Sequence, residues 1–113
     1  METRKRVLGQ EHPFTLTSMA NLALTYMNQE RWKEAEELGV QVMETRKRVL
    51  GQEHPDTLTI MANLACTWKS QGRDKEAIDL MKEAERLQRD VLGSGHPDSM
   101  RSAQTLYEWQ GPL

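Results

Sequence analysis

One cysteine is present in 113 residues. Cys66 alone cannot build an intramolecular disulfide framework, and this usage suits a reducing compartment such as the cytoplasm. Prolines are few, four in all, and no low-complexity stretch intervenes, which argues against a flexible multidomain layout. No sign of charge dominates: 15 basic and 17 acidic residues leave a formal charge of −2. Neither nucleic acid nor an anionic membrane is therefore implied as a partner. No apolar run approaches the roughly 18 residues of a membrane span, and no secretory h-region predicts export. A phosphate loop, a GxSxG elbow, an HExxH motif and a recurring pair of loop carboxylates are all missing. The chain is expected to be no enzyme and to need no cofactor. Its length suffices for one compact domain or a short array.

What the chain does have is repetition. "METRKRVLGQEHP" opens it and returns unchanged at residue 43. Residues 1–42 match residues 43–84 at 28 of 42 positions without a gap, including "TLT" and "MANLA". A third copy follows at the same offset, "VLGSGHPD" at 91–98 against "VLGQEHPD" at 49–56. A fixed period of this size signals a stacked array.

Each unit reads as two helices. After "HP" the residues Leu16, Met19, Leu22, Ala23 and Tyr26 recur at helical spacing and make one apolar face. Proline at the first helical position loses no hydrogen bond. Either His12 or, in the second copy, Asp56 can serve as the cap. The turn lies in "NQERWKEAEEL" (28–38) and "SQGRDKEAIDL" (70–80). Gly72 suits a left-handed helix stop, and Glu30 in the first copy should be slightly worse there. A second helix carries the apolar line Ala77, Leu80, Met81, Ala84, Leu87 and Val91. The expected helices are 14–29, 32–50, 56–71, 74–92 and 98–109, plus a short helical start. Glu34, Glu36 and Glu37 near the start of a second helix, and Arg46, Lys47 and Arg48 near its end, favour the helix dipole. "TRKR" is therefore expected to be a solvated helix end.

His12, His54 and His96 occupy the same loop one period apart. Equivalent loops of stacked units lie about 10 Å or more apart, whereas nitrogen ligands stand about 2 Å from zinc. No shared metal site is expected. Cys66 has no His or Asp at fixed local spacing and is read as a small half-buried structural residue.

A unit of 42 residues is compatible with several helical repeats. "NLALTY" followed by "ERWKEAEEL" resembles the tetratricopeptide repeat (TPR), with Leu22-Ala23, Tyr26, Trp32 and Ala35 at its signature places. The second copy has Leu64-Ala65, Trp68, Asp74 and Ala77. Ala23 and Ala35 would let the paired helices approach closely. The usual unit of that family is about 34 residues, so this one is longer by roughly two helical turns. The long form with "LGxxHPD" between units is similar to kinesin-light-chain repeats. The full wording looks most like the C-terminal repeats of fungal NLR-like (STAND) proteins. Gly39, Asp74 and Tyr107 depart from the family pattern.

This resemblance implies an all-α fold, a right-handed superhelical array of antiparallel helix pairs (an α-solenoid). Residues 1–12 would end a preceding second helix and its loop, 13–54 form repeat one, 55–96 repeat two, and 97–113 the first helix of an incomplete third. In such arrays the first helices line a concave groove. By register its residues here are Thr17, Asn21, Leu24 and Asn28, then Thr59, Asn63, Cys66, Lys69 and Ser70, then Arg101, Thr105 and Glu108. Kinesin-light-chain repeats also have Asn before "LA" and use it to hold extended peptides, which points to Asn21 and Asn63. Alternatively these two bond to a neighbouring helix and stiffen the stack. The expected function is a non-enzymatic scaffold that binds a protein or peptide segment, as a fragment of a larger signalling or sensor protein. The alternative is a structural spacer. Val7 and Leu8 at one end, and Leu106, Tyr107 and Trp109 at the other, would expose apolar surface. Uncapped ends of this kind can self-associate as a homodimer or end to end.

Overall fold

The computed structural model describes residues 13–111. Five helices and no strand occur among them: α1 Pro13–Asn28, α2 Trp32–Val49, α3 Pro55–Ser70, α4 Asp74–Leu92 and α5 Pro97–Gln110. Every bound lies within one residue of expectation. The expected helical start, His12, Val7 and Leu8 lie outside the described residues.

The starts of α3 and α5 share one design. The Nδ1 of His54 accepts the Asp56 N–H at 3.1 Å, and that of His96 accepts the Asp98 N–H at 3.1 Å. The imidazole is thus the cap and Asp56 is not. Pro55 and Pro97 follow, where a missing N–H breaks no bond. The turns also match: Arg31 N–H reaches the Tyr26 carbonyl at 2.8 Å, and Arg73 N–H the Trp68 carbonyl at 2.9 Å. Both need a left-handed residue, supplied by Gly72 (φ +82°) in one turn and Glu30 (φ +61°) in the other. A side chain in that conformation costs about 1–2 kcal/mol.

Each helix packs on the next, and α1 also touches α3. Leu58 and Met61 of α3 meet Ala84 and Leu87 of α4, with Met43 and Leu80 alongside. A second cluster joins Ala20, Val42 and Ile60 across three helices. Each large side chain buried here contributes about 1.5–3 kcal/mol. Ala23, Ala35, Ala65 and Ala77 are all buried, as close helix approach demands. Gly39 serves the same end. A Cβ there would stand 3.2 Å from Leu64 Cδ1, tighter than ordinary contact.

Several expectations need correction. Leu22 is 43% exposed whereas its counterpart Leu64 is 1% exposed, because Leu64 has α2 against it. Val91, expected in the apolar line of α4, is exposed at the helix end. Arg46 is not part of a solvated end. It lies one turn after Val42 on the inner face, is 6% exposed, and donates to the Asp56 carbonyl at 3.0 Å. Burial pushes its pKa down, opposed by the Asp56 charge. Tyr107 is exposed as expected, but Leu106 and Trp109 are half-buried.

The two unit junctions differ. Between α2 and α3, Glu36 accepts from Trp68 Nε1 at 2.9 Å, from Gln71 Nε2 at 3.2 Å and from Arg73 Nη1. Arg73 also stacks over the Trp68 ring, 4.8 Å from its centre, and binds Glu76 at 2.8 Å. Between α4 and α5 the contact is polar. Ser102, at the place of Ile60, donates to Gln88 Oε1 at 2.5 Å, and the buried Ser99 hydroxyl has no partner among the described residues.

Two outcomes follow from these contacts. Burial pushes the Glu36 carboxyl up, but its three hydrogen bonds outweigh burial and hold it below the ordinary value of 4.5. A depressed folded pKa gives stability that is present above the unfolded value and lost as pH falls through the folded one. Glu36→Gln should cost about 1–2 kcal/mol at pH 7, and the gap to the parent should close below about pH 4.5; urea titrations at several pH values measure it. Glu30→Gly should stabilise by about 0.5–1 kcal/mol, read as a higher denaturation midpoint with an unchanged slope.

Candidate functional site

The first helices α3 and α5 each present a stripe spaced i, i+3, i+4, i+7 toward the other, at different places in the repeat. On α3 this stripe is Thr59, Ala62, Asn63 and Cys66; on α5 it is Asp98, Arg101, Ser102 and Thr105. The two stripes face each other across a cavity of about 80 Å³ whose floor is Met81 and Gln88 of α4. Five residues expected in a groove therefore come together: Thr59, Asn63, Cys66, Arg101 and Thr105. A second slot runs between α1 and α3 over Ala35 and Gly39, with Leu24 and Asn63 on its walls. It is too tight to hold a water, since Leu64 leans over Gly39. Asn63 borders both depressions.

The remaining expected residues lie outside both. Thr17, Asn21 and Asn28 are exposed on α1, and Ser70 and Glu108 are exposed near helix ends. Lys69 is half-buried and pairs with Asp74 at 3.4 Å. Sequence reasoning missed Ala62, Met81, Gln88, Asp98 and Ser102. Ala62 shares the helical face of Thr59, Asn63 and Cys66 and could have been read from spacing, whereas Asp98 and Ser102 stand at the places of Asp56 and Ile60 and were not indicated by the period. Met81 was not assigned because it was read as part of the apolar line of α4, and Gln88, seven residues on, was given no role at all.

The electrostatics of this face are neutralised locally. Arg101 lies 3.7 Å from Asp98, and Glu108 accepts from Gln104 at 3.2 Å. Thr59 and Thr105 turn their hydroxyls back to the Pro55 and Arg101 carbonyls. The amide groups of Asn21 and Asn63 make no side-chain hydrogen bond among the described residues, although their main-chain carbonyls accept from Thr25 and Thr67. An unpaired amide offers a donor and an acceptor together, the pattern that an extended backbone requires. Cys66, half-buried between the walls, has its thiol pKa raised by burial.

A wider depression of about 500 Å³ lies on the far side of α5, bordered by Met100 and Tyr107. Leu58, the counterpart of Met100, packs against Ala84 and Leu87 of α4, so this face is distinct from the groove.

Comparison with known proteins agrees with this architecture. The family model for the tetratricopeptide repeat matches residues 15–56 and 57–98. Two crystal structures of a Podosopora anserina protein with nearly identical TPR-like repeats of kinesin-light-chain type superpose with TM-scores of 0.74 and 0.72. Their identities to this chain are 33% and 32%, covering 90% of it and 50% of each structure. BtubC from P. vanneervenii matches with a TM-score of 0.80 at 20% identity, over 90% of this chain and 42% of its own. The chain thus spans half or less of the length of these structures. The curated proteins give no match.

A thiol raised above its ordinary range and set in the groove wall should alkylate slowly at neutral pH. Cys66 is expected to react with iodoacetamide at least severalfold more slowly than a free thiol at pH 7.5, and to speed up steeply above about pH 9. Mass spectrometry of the time course measures both.

Proposed function

The chain belongs to the tetratricopeptide repeat family, and from that premise we propose that it is a protein–protein interaction scaffold holding an extended peptide along the first-helix face. The observation that carries this reading is the pair of asparagine amides, Asn21 and Asn63, at one place in successive units and unbonded by side-chain contacts among the described residues. A peptide in extended form must pair its own N–H and C=O groups, since burying each without a bond costs about 1–3 kcal/mol. A repeated amide grips that backbone without reading side chains. Discrimination then comes from what differs between units, Leu24 against Cys66 against Glu108.

The charge pattern supports a polypeptide over a polyanion. Arg101 and Lys69 each have a carboxylate within 4 Å, so neither is free to collect phosphates. No helix among the described residues is long and apolar enough to cross a membrane. The role we infer is recognition without catalysis, within a larger signalling or sensor protein of the fungal NLR-like kind that its wording resembles.

The test is selection of linear peptides from an unbiased displayed library, followed by calorimetry. Asn21→Ala with Asn63→Ala should weaken a selected peptide by about 1–3 kcal/mol in total with little change in thermal midpoint. Retained affinity in the folded double variant would remove the amides from the site. Unfolding of the variant would make them packing residues.

A further inference from the structure

The second junction departs from the first at two buried places. Ser102 of α5 stands where α3 has Ile60, and Gln88 of α4 stands where α2 has Arg46. Two long side chains are thus exchanged for two shorter, polar ones, and both line the cavity of about 80 Å³ between α3 and α5. The polar groups there each have one sense of hydrogen bond left to give. Ser102 donates its proton to Gln88 Oε1. The Gln88 amide nitrogen makes no hydrogen bond among the described residues, so a donor is left over on the floor. Thr59 and Thr105 donate their protons to the Pro55 and Arg101 carbonyls. Toward a guest their oxygens can therefore only accept, as can the Asp98 carboxylate beside them. Ala62, Met81 and Cys66 fill the wall between these groups. Gln88 is 2% exposed, and a buried donor without an acceptor is costly.

We propose that this cavity is a specificity pocket for a carboxamide side chain, glutamine by size, carried by the extended peptide; in this it rests on the peptide-scaffold reading. The guest C=O accepts from Gln88, and the guest NH2 donates to the threonine oxygens or to Asp98. A carboxylate fits less well. It brings no donor, it meets the Asp98 charge, and Arg101, the cation of the lining, already lies 3.7 Å from Asp98. A lysine ammonium brings no acceptor and leaves Gln88 unpaired. A hydrocarbon leaves Gln88 unpaired as well. An indole is too large, since one water occupies about 30 Å³ and the whole cavity holds between two and three. That room suits a side chain of about five non-hydrogen atoms. The pocket supplies the discrimination that the repeated asparagines do not.

Propionamide is the glutamine side chain as a free molecule, and it tests the pocket without a peptide. Titrated into the isotopically labelled chain, it should bind at about 10 mM and shift the Gln88 side-chain and Ala62 main-chain amide resonances. Propionate should bind at least about tenfold more weakly. Ser102→Ile restores the residue of the first junction and should abolish the Ala62 shift in a chain whose spectrum stays folded. Gln88→Met removes the donor alone and should give the same loss if isoleucine does not fit. Peptides selected from the displayed library should share a glutamine, whose exchange for glutamate weakens them at least about tenfold. No shift with propionamide up to about 100 mM, equal binding of propionate, or full binding to both folded variants would overturn the pocket. Selected peptides that need Asn21 and Asn63 but show no glutamine preference would overturn it too, while leaving the scaffold in place. Propionamide bound as expected with no peptide selected would keep the pocket and remove the scaffold reading.

Discussion

Burial of α3 is the constraint on which the rest depends. Its residues Leu58, Ile60, Met61, Leu64 and Ala65 are all at or below 1% exposure, which no other helix matches. A helix apolar over so much of its circumference cannot face water on any broad side. It demands α2 on one flank and α4 on the other. α3 in turn helps to bury Val42, together with Ala20 of α1, and Ala84. The groove stripe of α3 is the strip left over once both flanks are satisfied. The candidate site is thus defined by what the core does not consume.

Near-identity of units exceeds what packing alone requires, and the deviations fall where units differ in task. At the first junction the changes Glu36, Gly39, Val42 and Ile60 act together. At the second, Ile78, Met81, Ala84 and Ser102 stand in their places. The conserved wording keeps the helix pair itself constant, while these four places decide how pairs are joined. In a one-dimensional array stability is approximately the sum of unit and junction terms, so such changes alter the connection without rebuilding the unit.

Much of this was legible in the residues. The period, the proline starts and the turn residues set every described helix bound to within one residue. The signal was strong because punctuation residues coincide with the period: proline starts α3 and α5, and Glu30 or Gly72 marks the turn before α2 and α4. Burial was harder to read. Leu22 and Leu64 stand in the same five-residue wording, yet one is exposed and the other is not, since exposure depends on the neighbouring unit. Arg46 misled for a related reason: charge near a helix end suggests solvent, but the inner-face position one turn after Val42 decides. For the groove, register placed Thr59, Asn63, Cys66, Arg101 and Thr105 around one cavity but missed Ala62, Asp98 and Ser102 of its walls and all of its floor. Met81 and Gln88 belong to α4, whose line serves core and cavity at once.

The unequal junctions also set an order of failure. The contact of α4 with α5 has serine where the other has isoleucine, and it keeps one buried hydroxyl unpaired among the described residues. Local opening follows the weakest cooperative boundary. Under pulling or mild denaturant, the array has a built-in fracture plane ahead of Pro97. The helix that detaches first carries Asp98, Arg101, Ser102 and Thr105, one entire wall of the cavity. Tension along the chain would thus dismantle the binding face while leaving the α1–α4 block intact.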